Sequence, residues 1–546
     1  MLKRELPPMC RMTTSYLESS APANSSSTVS YNKTRTRGNK ALAMWKVKVC
    51  AAMAFVNYLI IYSSRNLLNG LIVSRQGPIT KLVSIAFYVQ PLSLILSVWI
   101  RNLIKKYSIR QLLDYALLIF ALHFSAVDFL LVKFRHVLEA GPFYIEDFLS
   151  DGKSEYRRVG LLFVALSTVT SCTITVQYTM IVIFEFVVQY VLMFSFFNDL
   201  FSQKQFNSFI SILCLCDVSG SFFSSVISSI YSGVCSLGLC ARETAQTVFF
   251  LFMSVLCIVL LYLSRKIQKA TQQERVIELD DRFKIQVESS GEGASLTTMG
   301  VIDCVMRNCF IRSVSFFVVF FFFINELLYT SLETTICEMK AGTSETLSAS
   351  VTGTTCIIRG VSSCVILVFL LTSLSQWLVI HRWSFLAYTT PLLSFFSCFI
   401  IFGLDIIRAG MKGVSLSSIN HCMSFINDAN YIFFKDHLES ATLVINIAVC
   451  ILLKIVRVVA FFMSKETLTM MIDRKIRSRL RPIYDGMCPL IGKSLAALTM
   501  ILCAEAMKVY NVHTFSVFLL IISVLVVWYW ARNAKYLCQR YENSFT

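Results

Sequence analysis

The chain has 546 residues, 55% of them apolar and 15% charged, with 50 Lys and Arg against 33 Asp and Glu for a formal net charge of +17. A mean hydropathy of +0.64 excludes a soluble multi-domain enzyme and points to an integral membrane protein. The basic excess then reads as membrane topology and attraction for anionic lipid headgroups, so a lipid bilayer and no nucleic acid is the expected surrounding.

Residues 1–45 are rich in Ser and Thr and lack the apolar stretch of a secretory signal, so they read as a flexible cytoplasmic tail or as an organelle-targeting segment. Apolar windows close to the ~20 residues needed to cross a bilayer follow. In the first half, 46–264, they lie at roughly 47–64, 80–100, 110–132, 166–196, 206–231 and 245–264. A polar stretch, 265–309, reads as a central cytoplasmic loop, with Gln272, Gln273, Asp280, Asp281, Gly291 and Gly293 among its residues. The second half, 310–532, has windows at roughly 311–330, 350–374, 384–405, 441–463, 489–507 and 513–531, and 533–546 is left as a tail. The predicted fold is an all-α integral membrane protein of about 12 transmembrane helices in two six-helix halves, the plan of major-facilitator-type transporters.

Lys and Arg crowd alternate connections, among them Arg101 to Arg110, Arg265 to Arg312 and Lys465 to Arg481, which places both termini in the cytoplasm. The 19 cysteines show no Cys-x-x-Cys pair and no metal-type spacing with His, so they read as small packing residues, and neither metal nor cofactor is expected. Cys235 and Cys240 share one external turn, where they either pair or stay free.

A charged side chain at membrane depth costs about 2.5–3.5 kcal/mol on insertion scales, so each one is a candidate for a wet cavity. Arg65 closes the first window, Asp114 and Asp128 lie in the third, and Glu185 lies in the fourth between Gln177 and Gln189. In the second half stand Glu326 and Glu333, Arg359, Lys454 and Arg457, then Lys493 and Glu505. Arg65 and Glu333 sit near window ends, where they either snorkel to the interface or line a cavity. Glu185 is central and either lines a cavity or pairs with a neighbouring helix, whereas Asp114 and Asp128 read as partners of loop cations. Lys454 and Arg457 share one helix face and argue for an anionic partner, either a protein carboxylate or a ligand. The run Phe316 to Phe323 reads as lipid-facing or core packing.

Between the tenth and eleventh windows the chain lays down Lys465, Arg474, Lys475, Arg477, Arg479 and Arg481, a cluster suited both to topology and to phosphate binding. Gly492-Lys493-Ser494 matches the end of a phosphate loop, but Gly486 stands one residue from the required position and no strand precedes it, which rejects an ATP-hydrolysing domain. At a helix start the tripeptide still presents a Lys and backbone amides to phosphate.

At these residues the chain resembles the nucleotide transporter family, the ATP/ADP translocases of plastids and of obligate intracellular parasites. Ser464-Lys465-Glu466, Asp473, Arg477, Arg479, Arg481, Asp485 and Gly492-Lys493-Ser494 match the family's run between its tenth and eleventh spans without a gap. Asn57-Tyr58 with Arg65, Phe197-Asn198, Glu333-Thr334 and Gln376-Trp377 resemble further motifs along the chain; Glu185 lies about one helical turn from the family's fourth-span Glu, and Phe462 stands where the family has Asp. The resemblance implies a secondary carrier, not an enzyme, that imports host ATP in exchange for ADP by alternating access. It implies substrate-handling roles for Arg65, Glu185, Glu333 and either Lys465 or Lys493, beside the cationic pair Lys454 and Arg457. A monomer in the cell membrane of a microsporidian-like intracellular parasite is expected, with a mitosome membrane as the alternative and GTP or GDP as further substrates. A proton-coupled net importer of purine nucleotides and a non-transporting scaffold of the same fold are the other two readings.

Overall fold

A computed structural model describes residues 28–104, 106–139, 168–201, 203–237, 241–282, 307–339, 344–372, 383–411, 428–470, 472, 482–507 and 512–543. The chain divides into a short unit, Met1–Cys50, helical from Thr28, and a large unit, Ala51–Thr546, which holds the cavities discussed below. Twelve helices among the described residues are long and apolar enough to cross a membrane. The first six are α1 (Met44–Gln76), α2 (Pro78–Ile104), α3 (Ile109–Lys133), α4 (Cys172–Phe197), α5 (Ile212–Cys235) and α6 (Arg242–Ile267). The second six are α7 (Cys309–Met339), α8 (Leu347–Leu370), α9 (Ser384–Arg408), α10 (Ser440–Thr469), α11 (Ile483–Met507) and α12 (Val512–Glu542). Helices are the expected solution because a bilayer offers no partner to a bare N–H or C=O.

Among the described residues every window read from the sequence is helical, and several helices run on. Residues 265–282, expected to open the central loop, continue the helix Arg242–Arg282; the segment contains neither Gly nor Pro and is built of good helix formers. The helix ending at Glu542 likewise covers most of the expected C-terminal tail, and α1 extends to Gln76, well past Arg65. That extension overturns snorkelling for Arg65, which is held in mid-span.

The two halves repeat one packing plan. Helix α3 packs on α6 as α9 packs on α12, while α5 meets α8 across the halves as α11 meets α2. Close approaches repeat too. A Cβ added to Gly220 of α5 would lie 2.7 Å from Tyr58 Cβ of α1, and one added to Gly492 of α11 would lie 2.5 Å from the Val319 carbonyl oxygen of α7. Each glycine therefore lets one helix backbone rest directly on its neighbour. The helix of α11 is already under way from Pro482, so Gly492 is an interior packing residue and Gly492-Lys493-Ser494 does not supply free amides at a helix start.

Five stretches of wider i→i+5 winding interrupt the described helices: Ser84–Val89, His123–Val127, Glu185–Met193, Arg457–Phe462 and Pro482–Met487. Such π segments cluster at functional sites. Where α1 gives way to α2, Gly77 has φ 83°, in the left-handed region that glycine tolerates, and Pro78 starts the next helix with its ring at the first position. This tight junction sets Lys81 in the first turn of α2, almost wholly buried.

The run of phenylalanines in α7 turns Phe316 outward and packs others inward: Phe317 and Phe321 stack on Phe461 at 5.4 and 4.1 Å and meet Trp530 edge-on. Replacing Gly492 by Leu should therefore destabilise the detergent-solubilised protein by about 1–3 kcal/mol through overpacking. Gly353→Leu, at a position with nothing within 4 Å of its added Cβ, should leave the thermal midpoint nearly unchanged; equal effects of the two would remove the backbone contact as the cause.

Candidate functional site

Between the halves lies a cavity of about 1160 Å³. Its walls carry six cations, Arg65, Lys81, Arg359, Lys454, Arg457 and Lys493, and three carboxylates, Asp217, Glu326 and Glu333. The described lining is thus cationic by three formal charges. Two of the cations are matched by carboxylates: Lys81 donates to both oxygens of Glu333 at 2.6 and 2.8 Å, and Arg65 Nη2 lies 2.5 Å from Glu185 Oε2. Among the described residues no carboxylate forms an ion pair with Arg359, Lys454, Arg457 or Lys493.

Those four cations rest instead on rings and neutral oxygens. The Arg359 guanidinium lies 4.9 Å from the centre of the Tyr62 ring and donates to the Tyr62 carbonyl at 3.3 Å. Lys454 Nζ is 5.9 Å from the same ring and donates to Ser221 Oγ at 2.6 Å. Arg457 and Lys493 face the Phe322 ring at 5.2 and 6.0 Å. Ring faces attract a desolvated cation by roughly 0.5–2 kcal/mol, less than a full counter-charge supplies. The arrangement therefore holds positive charge in place without neutralising it. Tyr62 is itself fixed, since its hydroxyl donates to Asp217.

A second chamber, about 730 Å³, shares Tyr62, Asp217, Phe322, Arg457 and Val458 with the first and lies toward the starts of α5, α7 and α11. A narrower pocket of about 310 Å³ holds Arg65 and Glu185 beside Lys493. The π segments of α4, α10 and α11 wall these spaces. Winding by five shifts the facing of successive side chains, and so Glu185 and Gln189 on α4 and Arg457, Phe461 and Phe462 on α10 all reach the seam.

Of the residues expected from sequence, Arg65, Glu333, Lys454, Arg457 and Lys493 line the large cavity, and Glu185 reaches it through Arg65. Lys465 does not join them. It lies in the wall of the second chamber, paired with Asp485 and 3.1 Å from Glu466. Glu333 is almost wholly buried against Lys81, which overturns the snorkelling reading for it. Asp114 does meet a loop-side cation, Arg265, at 3.5 Å, and accepts from Ser264 at 2.9 Å; Asp128 instead faces His123 at 3.6 Å inside the bundle. Arg474, Lys475, Arg477, Arg479, Arg481 and Cys240 lie outside the described residues.

Two members of the site were missed from sequence, Lys81 and Asp217. Both stand inside apolar windows, and the same test of a charge at membrane depth finds them. A further buried cluster was missed at the ends of α7 and α9 and the start of α12: Asp405 accepts from Ser331 at 2.6 Å and lies 2.9 Å from His513, while Arg408 pairs with Glu338 at 2.9 Å.

The comparisons with known proteins accord with the resemblance read from the sequence. No protein-family model matches the chain. A protein named ADP,ATP carrier protein 1 from Paranosema grylli is 20% identical over 500 residues, covering 90% of this chain and 88% of its own length. Two from Encephalitozoon cuniculi (strain GB-M1) are similar to the same extent. ADP,ATP carrier protein 1 is 21% identical over 498 residues, covering 89% of this chain and 84% of its own, and ADP,ATP carrier protein 3 is 19% identical over 505, covering 87% and 86%. Solved structures that align include the nucleoside transporter NupG, at TM-score 0.41, 10% identity and coverage of 89% of this chain and 98% of that one. A bacterial homologue of the iron transporter ferroportin aligns at TM-score 0.45 and 11% identity, covering 90% and 99%.

Removing one partner of a buried ion pair strands the other, at about 3–5 kcal/mol. Arg65→Ala should therefore lower the thermal midpoint of the purified protein strongly, and Glu185→Ala added to it should restore part of the loss. A double-mutant cycle with no coupling between the two positions would show that the pair does not hold α1 to α4.

Proposed function

We propose that this chain is a secondary carrier that exchanges ATP for ADP across a membrane by alternating access between its two six-helix halves. The observation that carries the reading is the cavity's excess of positive charge: among the described residues, four cations with no carboxylate in ion-pair contact share the seam between the halves with two unpaired carboxylates, Asp217 and Glu326. A di- or triphosphate brings three to four negative charges in one small group, and Arg forks and Lys ammonium groups bind phosphate oxygens strongly where water is scarce. The similarity to proteins named ADP,ATP carrier along nine-tenths of the chain supports the same substrate. The proposed carrier works as a monomer. Its place is the cell membrane of an intracellular parasite, where host nucleotide is within reach, and guanine nucleotides are candidate further substrates.

Within this reading Lys81–Glu333 is a gate. It joins α2 of the first half to α7 of the second, near the Gly77 end. At the same end Gly70 lies against α8: a Cβ there would be 2.8 Å from the Ser348 carbonyl oxygen. Opening that end requires Lys81 and Glu333 to part. A bound phosphate offers Lys81 another counter-charge, so substrate lowers the cost of opening, and the empty cavity stays shut. This is the logic of exchange rather than of leak.

Proton-coupled net import is the second reading, favoured by Glu326: it lines the cavity, is buried, and has no ion-pair partner among the described residues. The deciding assay is uptake of radiolabelled ATP by bacteria expressing the full chain, loaded with ADP or not. Exchange predicts uptake that accelerates on loading, falls at least tenfold in Lys493→Ala and Arg457→Ala, and ignores a protonophore. Glu333→Gln should weaken the gate and let ATP leave without a counter-substrate. Uptake that is abolished by the protonophore and by Glu326→Gln would replace exchange by proton coupling; no nucleotide uptake by protein shown to be in the membrane would remove both.

A further inference from the structure

We infer that the second chamber is a base-binding site, and that Gln189 reads the adenine edge of a nucleotide whose phosphates occupy the cationic cavity. The inference rests on the nucleotide reading above and adds where the base goes and which residue identifies it.

The two chambers differ in chemistry. The large cavity gathers the six cations, while the second chamber has eight aromatic rings in its wall, beside Asp217, Arg457 and the paired Lys465, Glu466 and Asp485. Two of its walls present ring pairs already in parallel: Tyr58 on Tyr62 at 6.1 Å and 12°, and Tyr190 on Phe194 at 6.4 Å and 14°. Phe322 and Tyr484 line the same chamber. Every nucleobase has a π-face, and stacking on aromatic side chains is its commonest anchor. A slot bounded by flat rings and opening into a cluster of cations has the polarity of a nucleotide from end to end.

Gln189 supplies the discrimination. It lies on the π segment of α4, is only 5% exposed, and lines the chamber. Among the described residues its side-chain amide has no hydrogen-bond partner, unlike Gln177 on the same helix, which accepts from Gln246 at 3.4 Å. A buried amide left open to a cavity awaits a partner in that cavity. Its oxygen and NH2 pair match the N6 donor and N7 acceptor of adenine in bidentate fashion, whereas guanine offers two acceptors at O6 and N7 and suits Arg. The position is also closely packed: a Cβ on Gly486 of α11 would lie 3.0 Å from the Phe186 ring and 3.4 Å from Tyr190 Cβ, so glycine lets α11 seat tightly against this segment of α4.

Arg457 and Phe322 border both chambers and sit where the sugar and α-phosphate of such a nucleotide fall. The arrangement makes a sharp distinction between ligands. Inorganic tripolyphosphate uses the first chamber alone, ATP uses both.

The test is uptake of radiolabelled ATP and GTP by bacteria expressing the full chain, with unlabelled tripolyphosphate as competitor. Gln189→Leu should raise the half-saturating ATP concentration about tenfold, with inhibition by tripolyphosphate moving less than twofold. Gln189→Arg should move the ATP-to-GTP preference toward GTP by about tenfold. Should either variant fail to reach the membrane, Tyr484→Leu reads the same split between ATP and tripolyphosphate. Equal weakening of ATP and tripolyphosphate, or an ATP-to-GTP ratio that Gln189 does not move, overturns the base site and leaves the carrier reading standing. Wild-type protein that takes up neither nucleotide overturns the carrier reading, and the base site with it.

Discussion

An excess of buried positive charge over buried negative charge is the constraint on which the rest of this structure depends. A lone cation in a low-dielectric bundle is costly enough that folding ordinarily removes it, pairs it or lets it reach water. Here Arg359, Lys454, Arg457 and Lys493 are held at the seam by rings, a hydroxyl and a backbone carbonyl. None of these partners cancels charge, and so the site is stable only as a wet cavity or as the seat of an anion. The same bundle does match buried charge with an opposite charge elsewhere, as Arg408 and Glu338 do. The cavity is therefore left cationic by a difference in placement, not by a lack of acids.

The halves share the burden unequally although they are built alike. The interval in sequence from Gly220 to Gly492 is the same as that from Glu185 to Arg457, and both pairs occupy corresponding helices. At corresponding points of the two π segments the first half thus carries a carboxylate and the second a guanidinium. In the first half each cavity cation, Arg65 and Lys81, has a carboxylate, whereas the four without one all belong to α8, α10 and α11. In the proposed carrier one half holds the anion and the other responds to it. Duplication of the backbone plan with divergence of the charges gives a binding surface and a moving surface from one architecture.

Much of this was legible in the sequence, and what escaped is instructive. The twelve helices follow from apolar length, which needs no tertiary information. Most of the cavity's charges follow from the cost of placing them at membrane depth, and that rule is independent of which helix faces which. What the sequence does not carry is pairing. Lys465 stands in the motif that most resembles a known family, yet the fold gives it Asp485 and Glu466 and takes it out of the cationic group. Lys81, in no motif, becomes the partner of Glu333 because Gly77 turns the chain and the first turn of α2 points it at α7. Helix ends were misjudged for a related reason: a window of hydropathy stops at the first cluster of charges, while a helix stops only where the backbone loses its partners or meets Gly or Pro. Arg65 was thereby moved from a span end to mid-span.

In the proposed exchanger, the position of the gate relative to the charge lets one site serve two directions. Among the ion pairs of the described residues, Lys81–Glu333 is the one that joins the halves, and it lies at the Gly77 end. Toward the other end the pairs stay within a half: Lys465 with Asp485, and Arg265 with Asp114. A cross-half pair must break each time the seam opens on its side, whereas an intra-half pair rides along unbroken. Placing the breakable pair beside an excess of cations ties its strength to occupancy, because whatever anion enters competes with Glu333 for the same field. The cationic cavity is then more than a site of recognition. Its charge sets the cost of opening when empty and relieves that cost when filled, so binding and movement draw on one electrostatic term.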